Sequence, residues 1–392
     1  MLPYDELLSQ LRQKALFREL KTIEEIQGPT VRVGNRWLVN FASNDYLGLS
    51  QHPSVKAAAK FAIDRFGTGS AASRLITGTQ QLHTKFEREI AAFKGAERAL
   101  LFSTGYAAAV GTIPALVGPG DVVVVDKLVH ACLIDGAKLS GASLRVFPHN
   151  NIAKLRNHLA WARKTYPQGK TLIVTESIFS MDGDFADLVR IIDLKKEFEA
   201  LLMVDEAHAT AVTGPQGTGW VNALGMTAQV DIQMGTLSKA LGASGGFICG
   251  SGTIIQLLIN KARSFIYSTA LPPASAAAAS AALGIVRGEE GEALRTALWN
   301  NVRLLAENLA PAQGQAPTSP IFPLLIGDEL QTLRQAEMLF ADGFLVPAIR
   351  YPTVARGSAR LRIALSSLHR LEQIRALVKA TIANPPLCAC ES

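Results

Sequence analysis

Between residues 99 and 249 the chain alternates short apolar runs with longer stretches of helical spacing. The apolar runs fall at 99–102, 122–125, 144–147, 172–175, 201–204, 230–234 and 247–249. Four or five apolar residues without polar alternation suit strands buried on both faces. Their succession with helices predicts an α/β architecture with a mostly parallel seven-stranded sheet. Ligands of such sheets bind beyond the carboxyl ends of the strands. That rule gathers residues 103–106, 176–180, 205–208 and 236–239 into one place.

The flanking segments have other rhythms. Residues 4–21 set leucines among charges at helical spacing and predict one helix. Residues 31–42 read as strand interrupted at Gly34 and Asn35, and residues 66–70 and 73–78 read as irregular loops. Residues 87–93 continue a helix. The run 271–286, rich in Ala and Ser and opening on Pro272 and Pro273, predicts a packed helix starting at proline, not a membrane span. After Gly288-Glu289-Glu290-Gly291, strands at 321–326, 344–349 and 360–365 around a helix at 330–340 predict a smaller α+β domain, with a loop at 311–320. The expected division is an N-terminal helix-and-strand segment 1–45, a large domain 46–287 and a C-terminal domain 288–392.

Composition narrows the classes. With 392 residues, 48% apolar and 18% charged, the chain can bury a large core and exceeds one compact unit. The net charge of +6 has no basic block behind it, which argues against nucleic-acid binding and suits small anionic ligands. Cys132, Cys249, Cys388 and Cys390 show neither metal-ligand spacing nor a disulfide framework, so no metal and a cytoplasmic setting are expected. The first twenty residues do not read as a signal peptide.

The candidate chemistry centres on Lys239, within Gly235-Thr236-Leu237-Ser238-Lys239-Ala240 and the glycines beyond. Crowded between a strand end and small residues, an amine is pushed toward its neutral form and can form a Schiff base with an aldehyde. A phosphate loop would need Gly-Lys-Ser or Gly-Lys-Thr, and here Ser238 precedes the lysine and Ala240 follows it. Asp205 closes a buried run and needs a cationic or hydrogen-bonding partner, which the protonated nitrogen of a pyridine ring would be. His208 is close enough in sequence to reach the same ligand. His130, just past another strand, can stack on a flat ring. Residues 103–107 lead from strand to helix, where free N–H groups and the helix dipole can hold a phosphate.

Together with Asn40 to Leu49, Ser73 to Gly78, TESIFSMDG at 175–183, MVDEAHAT at 203–210, Ile266-Tyr267-Ser268-Thr269 and AIRYPTVARGSARLRIAL at 348–365, these pieces resemble the α-oxoamine synthases. The resemblance runs almost end to end. It implies an aminotransferase-like, fold type I large domain and pyridoxal 5'-phosphate carried on Lys239. Asp205 would pair with the ring nitrogen, His208 with the phenolic oxygen, and His130 would stack on the ring. Gly105, Tyr106, Ser180 and Thr236 would complete the cofactor site. It implies a homodimer with sites at its interface, Ser268 and Thr269 reaching the neighbouring subunit's phosphate. Arg18, Thr353 and Arg362 match positions associated with substrate.

The closing motif favours the branch that joins L-alanine to a pimeloyl thioester, on coenzyme A or an acyl carrier protein, over the 2-amino-3-ketobutyrate ligase, 5-aminolevulinate synthase and serine palmitoyltransferase branches. Strand periodicity puts Arg360 and Arg362 on one face and does not choose between them, nor does it exclude Arg350. The resemblance selects Arg362. Two positions depart from the family pattern: Thr-Leu-Ser-Lys stands for Thr-Phe-Gly-Lys, and Ala71-Ala72 replaces glycines. Two rival readings are a nicotinamide-dependent dehydrogenase and a non-catalytic partner subunit. No Gly-x-Gly-x-x-Gly joins an early strand to a helix, and Lys239 is present, which argue against each in turn.

Overall fold

The computed structural model describes residues 3–313 and 319–383. Cys388, Cys390 and residues 314–318 of the loop expected at 311–320 lie outside the described residues, and helix Glu289–Gln313 runs through the first three positions of that loop. The chain divides into two compact units. The larger is Leu49–Ser180 with Asp184–Arg295; the smaller is Met1–Gly48, Met181–Gly183 and Thr296–Ser392.

The larger unit is built on the seven-stranded sheet. Its strands are β1 (Arg98–Phe102), β2 (Val122–Asp126), β3 (Ser143–Phe147), β4 (Thr171–Glu176), β5 (Leu201–Asp205), β6 (Ile232–Thr236) and β7 (Gly246–Gly250). The order across the sheet is β1-β7-β6-β5-β4-β2-β3. Neighbours from β6 to β3 run parallel, and β7 alone is antiparallel to both its partners. The four valines of β2 are wholly inaccessible, and β4 and β5 are nearly so, as strands covered on both faces should be. All seven apolar runs of the sequence are strands, lengthened or shifted by one or two residues. The proline-initiated helix forms as Pro273–Arg287.

A buried ion pair fixes the end of β5 from behind. Helix Gln81–Lys94 stops at Gly95, whose φ of +65° suits glycine, and delivers Lys94 into the core. Lys94 and Glu206 pair with no accessible side-chain surface on either. Further hydrogen bonds support the pair: Lys94 Nζ donates to Thr218 O at 2.6 Å, and Glu206 Oε1 accepts from Val221 N at 2.9 Å. Glu206 directly follows Asp205, so the pair anchors the segment that carries the candidate carboxylate.

The smaller unit contains two sheets. One joins Glu25–Gln27, Thr30–Val33, Arg36–Asn40 and Phe344–Leu345; the other joins Ile321–Gly327, Ala359–Ala364 and Ala348–Ile349. The strand expected at 344–349 is thus two strands in different sheets, divided at Val346-Pro347, where proline cannot donate to a ladder. The first helix covers only Pro3–Gln13. Ala15 turns to φ +54° and Leu16 N donates to Leu11 O at 2.8 Å, which ends the helix short of the expected residue 21. Among the described residues no helix is long and apolar enough to cross a membrane.

Lys94→Met should destabilise the protein by about 3–5 kcal/mol in urea denaturation, because it leaves the Glu206 charge buried alone. Adding Glu206→Leu should restore part of that loss.

Candidate active site

Strand ends and turns of the larger unit enclose a cavity of about 230 Å³. Its wall includes Gly105, Tyr106, His130, Ser180, Asp205, His208, Thr236 and Lys239, eight residues singled out in the sequence. Lys239 Nζ stands 2.7 Å from His208 Nε2. Asp205 is 5% exposed, and its Oδ1 accepts from Ala207 N at 2.8 Å. Burial raises this carboxyl above its ordinary value, and the charge of Lys239 pulls the other way.

The lysine loop is held at its base. Leu237 N donates to Gly245 O at 3.0 Å, and Thr236 Oγ1 donates to the same oxygen at 2.8 Å. Gly246 is required by close approach, because a Cβ there would lie 2.4 Å from Thr104 O. This brings β7 against the turn where helix Gly105–Leu116 begins. Thr104 caps that helix, its Oγ1 accepting from Ala107 N at 2.9 Å. The first-turn N–H groups of Gly105 and Tyr106 have no intrahelical acceptor. An anion fits that corner by charge and by donor supply.

His130 precedes helix Ala131–Leu139 as its cap, and its Nδ1 accepts from Cys132 N at 3.2 Å. A ring nitrogen that accepts carries no proton, which leaves the neutral ring protonated on Nε2. The ring is open to solvent within a concave surround, whose crowding holds the imidazole below its ordinary value. Asp126 steadies the approach to His130 by accepting from Leu128 N at 2.8 Å. The same carboxylate meets His149 Nδ1 at 3.0 Å, and His149 Nε2 meets Asp184 at 2.7 Å.

The remaining expected residues lie elsewhere. Ser268 and Thr269 belong to the larger unit but not to the cavity wall; Thr269 forms an isolated antiparallel bridge with Ser73. Arg18, Thr353 and Arg362 belong to the smaller unit, where Arg18 Nη2 donates to Thr353 Oγ1 at 3.2 Å. Arg362 Nη2 donates to Asn44 Oδ1 at 3.1 Å, and the guanidinium also meets the Tyr46 phenol. Arg360 is committed to Asp182 at 2.6 Å, and Arg350 to the carbonyls of Ala15 and Phe17. Six further wall residues had no individual role assigned from the sequence: Thr104, Cys132, Glu176, Ala207, Met234 and Ser238, although all but Cys132 and Met234 lie in the segments expected to meet at the strand ends. Glu176 had a legible signal, since it closes a buried strand as Asp205 does.

The chain matches the family of class I and II aminotransferases over residues 36–380. It is 46% identical over 375 residues to the 8-amino-7-oxononanoate synthase of Geobacter sulfurreducens, covering 95% of each chain. The chain belongs to the 8-amino-7-oxononanoate synthase family. Among solved structures, serine palmitoyltransferase from S. paucimobilis with a bound PLP–myriocin aldimine superposes with a TM-score of 0.91 at 28% identity, covering 97% of this chain and 96% of that one. The 8-amino-7-oxononanoate synthase of Francisella tularensis gives 0.75 at 30% identity, covering 88% and 96%. Family membership agrees with the fold type I, mostly parallel sheet expected from the sequence.

Burial opposes the charged ring of His149, but hydrogen bonds and charge from Asp126 and Asp184 outweigh it and lift the imidazole to about 10. The folded value lies above the ordinary 6.5, so the stabilisation is complete below pH 6.5 and disappears as pH rises through about 10. His149→Gln should therefore be less stable than the parent in urea melts just below pH 6.5, and the gap should close near pH 10.

Proposed function

We propose that this chain is a pyridoxal-phosphate-dependent acyltransferase. It condenses L-alanine with a pimeloyl thioester, releasing carbon dioxide and the free thiol, to give 8-amino-7-oxononanoate in biotin biosynthesis. The observation that carries the reading is the amine of Lys239 at 2.7 Å from His208, in one cavity with the buried Asp205. These residues fit the cofactor. A buried carboxylate calls for a cation, a half-buried amine suits an aldehyde, and the helix start at Gly105 and Tyr106 suits a phosphate. Thr236 and Ser180 complete the wall, and His130 would pack on the ring face.

Pyridoxal 5'-phosphate, when bound, supplies an electron-withdrawing ring that makes the amino-acid α-proton acidic. Lys239 Nζ removes that proton and later returns one. Asp205 would hold a proton on the ring nitrogen, and His208 would hydrogen-bond the phenolic oxygen. His130, protonated on Nε2, has a donor to offer the thioester carbonyl while negative charge gathers there. Atoms balance across the reaction: the new carbon–carbon bond replaces the thioester carbon–sulfur bond, and the carboxylate leaves as carbon dioxide.

Arg362 grips the amino-acid carboxylate, with Arg18 and Thr353 also serving substrate. Of the three candidate arginines, Arg360 faces a carboxylate of its own and Arg350 is held by two main-chain carbonyls, whereas Arg362 meets the neutral Asn44 and Tyr46. The functional unit is a homodimer in the cytoplasm, with Ser268 and Thr269 serving the neighbouring subunit's phosphate and the acyl group arriving on coenzyme A or a carrier protein.

The substrate assignment is tested by offering alanine, glycine and serine with pimeloyl, acetyl, succinyl and palmitoyl thioesters and measuring thiol release. Alanine with the pimeloyl donor should be fastest. A faster serine–palmitoyl pair would move the chain to the serine palmitoyltransferase branch. Separately, Arg362→Lys should weaken L-alanine binding in a spectral titration by on the order of tenfold or more, since lysine cannot form the two parallel bonds, and leave cofactor affinity near that of the parent. Arg360→Lys should have the smaller effect on alanine; the opposite ranking would overturn the assignment.

A further inference from the structure

The cavity contains a second buried carboxyl that the chemistry above leaves unused. Glu176 ends β4 as Asp205 ends β5, and the two are register partners across the parallel pair. Glu176 is 2% exposed. Its Oε1 accepts from the main-chain N–H of His130, and its carboxyl also accepts from that of Ser180. One side chain thus ties the cap of helix Ala131–Leu139 to the turn that follows β4.

We propose that Glu176 is a positioning residue that sets His130 over the cavity by holding its backbone N–H. His130 has two restraints of different kinds. Glu176 fixes the main chain, and Cys132 N fixes the ring through Nδ1 at 3.2 Å. Without the first, the cap can rotate and carry the ring with it, however well the second is kept. Ser180, in the turn that follows β4, shares the same anchor.

The charges facing Glu176 define its state. Burial, then the charge of Asp205, lifts its carboxyl to about 8, while Lys239 and the N–H groups of His130 and Ser180 act the other way. That shift favours the protonated form of Glu176 at neutral pH. Glutamine reproduces that neutral form and keeps an oxygen for the His130 N–H. Alanine removes the acceptor and leaves a buried donor unsatisfied.

The inference rests on the reading that His130 packs on pyridoxal phosphate, and the test separates the two. Apoprotein is titrated with pyridoxal 5'-phosphate, following absorbance, for the parent, H130A, E176A, E176Q and the double variant E176A/H130A. We expect E176A to lose affinity by on the order of tenfold, E176Q to stay close to the parent, and E176A to add nothing once His130 is already alanine. An E176A loss that persists undiminished in the H130A background would mean that Glu176 acts through Asp205 or general loosening, and would overturn the proposal. So would an E176Q as weak as E176A. If H130A alone binds like the parent, the stacking reading fails, and this inference fails with it. Where E176A does not fold, Glu176→Met keeps the volume without the acceptor and serves in the same cycle.

Discussion

A carboxylate buried where a parallel strand runs out is the constraint on which the larger unit depends. Asp205 has little water and one main-chain donor, so its charge has to be met from outside the sheet or from Lys239. Everything near it can be understood as support for that arrangement. The Lys94–Glu206 pair holds the next residue rigidly, and the β6–β7 loop returns the amine to within reach. Burying ions is expensive, and here the cost is confined to a few strand ends while the strands themselves stay apolar.

The sheet was legible because its strands are buried on both faces, which writes them into the sequence as unbroken apolar runs. Lys239 and Asp205 were legible because each is a charged residue where the local pattern leaves no route to water. The same logic applied to Glu176, at the end of Thr171–Glu176, and was not carried there. Two elements were misread for local reasons. A helical period continues past Gln13, but the backbone turns left-handed at Ala15; a strand pattern continues across 344–349, but Pro347 cannot serve a ladder. Periodicity describes which side chains suit an element, and it is silent on where the backbone leaves it.

The arginines show another limit. Arg360 and Arg362 share a strand face by period, so nothing in their spacing ranks them. Their neighbours differ: Asp182, far away in sequence, occupies Arg360, whereas Arg362 meets Asn44 and Tyr46. Charge pairing across long sequence separation has no signature in a single sequence. Ser268 and Thr269 belong to the same class of problem, because a role toward a second subunit would leave no mark on the fold of the first.

The reversed direction of β7 has a consequence for how the chain assembles. Its pairing with β6 closes a short hairpin, so the lysine loop is a local structure. Its pairing with β1 brings Gly246 opposite Phe102, across most of the sheet's sequence. A contact between distant positions must overcome loop-closure entropy before it gains anything. The corner at Thr104 and Gly105 needs that distant pairing, whereas the lysine loop does not. The two halves of the cavity are thus reached at very different entropic expense, and the anion corner completes only when the sheet does.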